Sequence, residues 1–77
     1  MSEYVLAGQV HLPGKANDFT GGANTFVVTF LDITDDETAI KIAESIMDYE
    51  HKHANKGWLV GATLYCGKCV VKNFPSS

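Results

Sequence analysis

Seventy-seven residues, 45% of them apolar, carry nine acids against six lysines and no arginine, for a net charge of −3. A chain this short makes one domain that buries only about 60% of the surface its unfolded form exposes, so its core is thin and a partner is expected to add to it. Lack of arginine, the preferred residue for bidentate phosphate and guanine contacts, counts against nucleic-acid binding, and the acidic balance favours basic protein partners. No apolar run approaches the ~20 residues of a membrane span and no charged-then-apolar leader opens the chain, which is expected to be soluble and cytoplasmic.

Glu3 to Leu12 alternates as a strand, with Tyr4, Leu6, Val10 and Leu12 on one face and Val5, Ala7, Gln9 and His11 on the other. Residues 13–24 hold Pro13, Gly14, Gly21 and Gly22 without any period and predict a flexible loop. Thr25 to Ile33 is a second strand, rich in β-branched and aromatic residues and apolar on both faces.

Thr34 to Gly57 reads as one long amphipathic helix. Thr34 and Glu37 have the spacing of a capping box. Asp35, Asp36 and Glu37 suit the positive end of the helix dipole, and His51, Lys52, His53 and Lys56 the negative end. At 100° per residue, Ala39, Ile42, Ala43, Ile46 and Met47 share a stripe. Glu50 interrupts that stripe, either reaching water beside His53 or meeting a sheet or loop donor.

Trp58 to Phe74 predicts a hairpin about a Gly67-Lys68 type II′ turn, pairing Cys66 with Cys69 and Leu64 with Val71; residues 75–77 form a frayed tail. The expected fold is α+β, in the order β-β-α-β-β, a single antiparallel sheet with the helix on one face. One helix covers one face. The other is left with Val5, Val27, Leu31, Leu59, Tyr65, Val70 and Phe74, more apolar surface than a monomer usually leaves in water. Those seven residues are the expected self-association surface of a homodimer, against the alternatives of a loop folded over them or scattered single exposures.

Cys66-Gly-Lys-Cys69 can be two small buried residues beside a turn, a redox pair, or half a zinc site completed by His51 and His53. The histidines count against zinc, because two residues apart on a helix they point about 200° away from each other. The leading expectation is therefore no cofactor, with a zinc-stabilised module as the alternative. No serine, histidine or acid has the context of a catalytic group, and no enzyme activity is expected. A nucleic-acid-binding accessory role would rest on Lys15, Lys68 and Lys72. Asp32, Asp35, Asp36, Glu37, Glu44 and Asp48 form an expected acidic helix edge, either a solvated face or a surface that fits a basic groove on another protein.

The run from Thr25 through Val71 combines a strand with FVVTF, the acidic lead-in DITDDETAIKIAESI, a helix and a Gly-Trp-led strand pair. In pattern and size it resembles small phage-encoded accessory proteins that inhibit host machinery, such as the host RNA polymerase inhibitor of T7-like phages and several anti-CRISPR proteins. No residue's role carries over with it. The resemblance implies a protein of the host cytoplasm that occupies a surface on a host nucleic-acid enzyme or defence complex.

Overall fold

The computed structural model describes residues 3–12, 23–54 and 56–75. The elements are β1 (Tyr4–His11), β2 (Ala23–Phe30), α1 (Asp36–His53), β3 (Leu59–Cys66) and β4 (Cys69–Phe74). The strands form one antiparallel sheet in the order β2-β1-β3-β4, so the α+β reading with a single helix stands. Most of the predicted 13–24 loop lies outside the described residues, but its last two positions already belong to β2. Of the predicted tail, Pro75 is exposed and the rest lies outside the described residues.

The period-two pattern of β1 sets the core. Tyr4 and Leu6 face α1 and are buried, as are Val60, Ala62 and Leu64 of β3 and Phe30 of β2. From the helix, Ala39, Ala43 and Met47 are buried against them, with Ile40, Ile42 and Ile46 half-buried alongside. The two alanines let the helix backbone approach the sheet closely. α1 lies chiefly over β3 and touches β1 and β4 at its margins.

Boundaries at both ends of β2 and of the helix differ from the sequence reading. β2 ends at Phe30 instead of Ile33, because Asp32 takes a left-handed backbone (φ 61°) that breaks the pleat and turns the chain toward the helix. The N-cap is Asp35, not Thr34: the Asp35 carboxylate accepts from the Thr38 amide and the Thr38 hydroxyl, both at 2.8 Å. At the other end the helix stops at His53 with Ala54 as C-cap, and Gly57 supplies a left-handed residue (φ 87°) in the turn that follows.

The hairpin turn is as expected. Gly67 has φ 60° and Lys68 does not share the positive sign, the pattern of a type II′ turn with Cys66 opposite Cys69. Beyond Tyr65–Val70 the register shifts by one, so Leu64 faces Lys72 and Ala62 faces Phe74, with Val71 as the extra residue of a bulge. Every side chain of β4 past the bulge therefore changes face. Phe74, expected on the uncovered face, packs instead against the core on the helix side, with the Lys72 ammonium 5.3 Å from its ring centre.

Candidate functional site

The predicted acidic edge separates into two groups with different duties. Asp32, Asp35 and Asp36 gather where the chain enters α1, and two of them are already engaged. Asp35 caps the helix, and Asp36 accepts a hydrogen bond from the Tyr4 hydroxyl across from β1. Asp35→Ala, which strips the cap, is expected to lower Tm by about 5 °C in a calorimetric scan.

Both ends of the pH scale should register this corner. The hydrogen bonds from Thr38 hold the Asp35 carboxyl below its usual range. Its contribution is therefore present above the unfolded carboxyl value and lost as pH falls through the folded one. The Tyr4 phenol is displaced upward, chiefly by its hydrogen bond to Asp36, then by burial and the Asp36 charge. A raised phenol stabilises the fold below its unfolded value and loses that contribution as pH climbs beyond about 10. Denaturation of Tyr4→Phe is expected to lack this alkaline loss, and an unchanged profile would remove Tyr4 as its source.

Glu37, Glu44 and Asp48, spaced seven and four apart, follow one exposed line along α1. Glu44 meets Lys72 of β4 at 3.6 Å. With Asp48, Met47, His51, Phe74 and Pro75 the pair lines a groove between the helix and β4, apolar at its floor and charged at its rim. Sequence reasoning missed this groove, because it depends on the bulge that brings Lys72 and Phe74 to the helix side. Lys72 is thereby occupied by Glu44 and Phe74; Lys68 is exposed at the turn, and Lys15 lies outside the described residues.

On the side of the sheet away from the helix, three of the seven predicted residues, Val5, Tyr65 and Val70, collect at one end. Val5 stands between Thr29 and Tyr65, and Tyr65 is opposite Val70. Val27 lies beside Ala7, and Leu31 follows the end of β2. Val27, Leu31 and Val70 are 68%, 73% and 55% exposed. Leu59 does not join them: it sits opposite His11 at the far end, separated from Tyr65 on its own strand by Gly61 and Thr63. Between the two ends runs a shallow trough floored by Ala7, Gln9, Gly61 and Thr63.

His11, which the alternation of β1 puts on the face away from the helix, is 3% exposed, and its Nδ1–H donates to the Leu12 carbonyl at 3.0 Å. Glu50 is half-buried in a cleft with Val10, Asn24, His53 and Trp58 and makes no hydrogen bond to a described residue.

The alternative zinc set, Cys66 and Cys69 with His51 and His53, is not brought together. Cys66 pairs with Tyr4, whose hydroxyl reaches Asp36 at the start of α1, whereas His51 and His53 are in its last turn, on the order of 20 Å further along the axis. His53 is engaged locally, stacked on Tyr49 at 4.1 Å and donating to the Tyr49 carbonyl. Among the described residues, no group of three or more His, Cys, Asp or Glu is placed to hold a metal ion. Treatment with EDTA is expected to leave Tm unchanged; a clear fall would mean that Cys66 and Cys69 hold a metal with ligands from outside this set.

No helix among the described residues is long and apolar enough to cross a membrane. No protein-family model, curated protein or solved structure matches the chain.

Proposed function

We propose that this chain is a small non-enzymatic protein-binding module that works by occupying a partner's surface and that self-associates through one side of its sheet. The observation that carries the reading is the apolar group on the sheet face opposite α1, exposed Val27 and Val70 with half-buried Val5 and Tyr65. Solvent contact at such a patch is unfavourable by about 25 cal/mol for each Å² of apolar surface, which a protein contact recovers. The acidic line Glu37, Glu44 and Asp48 on the opposite side suits a basic surface and would steer encounter with it.

Its more specific form is the one that the resemblance suggests, a phage or mobile-element inhibitor that occludes a host nucleic-acid enzyme or defence complex in the cytoplasm. Purified bacterial RNA polymerase and a CRISPR effector complex are the probes. One of them should bind the chain with a loss of activity, and Glu37→Lys with Asp48→Lys should weaken binding about tenfold or more through loss of charge complementarity. These positions are preferable to Asp35 and Asp36, whose replacement also damages the fold. Binding to neither probe removes the inhibitor form of the proposal.

A further inference from the structure

The two edges of the sheet are built differently. β4 is six residues long, is bulged, and carries Lys72, all devices that discourage another strand from pairing. β2 has none of them. It is eight residues, ANTFVVTF, without a charge, a proline or a register shift, and among the described residues it pairs only with β1. Its span of about 26 Å therefore presents a row of backbone donors and acceptors that no other described strand pairs. α1 is centred over β3, which leaves this edge away from the helix. Asn24, Thr25, Val27 and Thr29 are exposed along it.

We propose that β2 pairs antiparallel with β2 of a second copy, about a two-fold axis near Val27, to form one continuous eight-stranded sheet. This rests on the self-association reading above and moves its contact from the apolar face to the sheet edge: the copies lie side by side instead of stacked face to face. The sequence of β2 is self-complementary in that register. Val27 meets its counterpart, Thr25 meets Thr29, and Phe26 meets Val28, the β-branched, Thr–Thr and aromatic pairs that stabilise adjacent strands.

Charge selects the same contact. Each copy carries a net charge of −3, and an edge without ionised groups lets two like-charged molecules meet with none opposed at the seam. Because β4 is blunted, assembly closes at two copies and does not propagate into a filament. The seam joins the two Val27 side chains and leaves Val5, Tyr65 and Val70 of each copy on one doubled apolar surface for a foreign partner.

Amide hydrogen exchange on the full chain, read with sedimentation at low and high concentration, tests the geometry. In the dimer, outward-pointing β2 amides should slow at least tenfold relative to dilute protein, those of β4 should not change, Val27→Lys should sediment as a monomer, and Tyr65→Lys should still dimerise. A dimer whose β2 amides stay fast and which Tyr65→Lys dissolves would overturn the edge pairing but keep self-association, through stacked faces. A monomer at every concentration would overturn both, and β2 protection that appears only when a foreign protein is added would overturn the second copy as the occupant.

Discussion

Replacing Leu64 with alanine is expected to lower the free energy of unfolding by about 3–4 kcal/mol, read as a fall in the urea midpoint with little change in slope. Leu64 has no exposed surface; it lies opposite Leu6 in the middle of the sheet, on the face covered by the helix. The cost exceeds simple transfer because the site collapses poorly. β1 and β3 hold their spacing through the strand ladder, and the small Ala39 and Ala43 on the helix offer little bulk to move into the space. A domain of this size has a total stability of about 4–12 kcal/mol, so the variant is left marginal or unfolded at 37 °C. A loss below about 1 kcal/mol would mean that Leu64 is not at the centre of the core.

Gly8→Ala is the second large effect, and it arises from crowding. A Cβ at Gly8 would come within 2.5 Å of the Gly61 carbonyl oxygen, 2.5 Å of the tip of the Phe26 ring and 2.6 Å of the Ala62 Cβ. Glycine here is not needed for an unusual backbone angle. Its missing side chain makes room for Phe26, its partner on β2, to lie across the strand. Overpacking of this kind costs about 1–3 kcal/mol, and the backbone carbonyl, unlike a flexible side-chain end, cannot swing away, so the upper part of that range is expected. Phe26→Ala in the same chain should recover part of the loss by relieving one of the three collisions, giving a non-additive double-mutant cycle. Strict additivity would contradict the proposed packing.

Much of the architecture is legible in the residues because the two periods are clean. Alternation in Tyr4 to His11 and the four-residue spacing of Ala39, Ala43 and Met47 identify both inner faces without tertiary information. Local ambiguity explains the N-cap. Thr34 with Glu37 and Asp35 with Thr38 are overlapping patterns one residue apart, and the turn at Asp32 favours the second. The face of Phe74 was not legible for a sharper reason. One extra residue in β4 inverts everything after it, and Val70-Val71 carries no mark of which valine is the unpaired one.

The candidate surfaces divide in the same way. Alternation places Val5, Val27, Tyr65 and Val70 on the side away from the helix, but the gathering of Val5, Tyr65 and Val70 at one end, away from Leu59, follows from pairings between strands distant in sequence. The acidic line required only the helix period. Its separation from Asp35 and Asp36 required the cap and the Tyr4 contact, which a one-dimensional pattern does not contain. The separation of Cys66 and Cys69 from His51 and His53 is the same kind of information, since the distance between the hairpin turn and the last helical turn is a property of topology.

Light scattering of the full chain from micromolar to millimolar concentration tests the central claim, that the chain self-associates through its sheet. The average mass is predicted to rise with concentration from the 8.4 kDa monomer to twice that value, and to stay at 8.4 kDa for Val27→Lys. A wild-type chain that remains at 8.4 kDa throughout, indistinguishable from Val27→Lys, would contradict the claim of self-association.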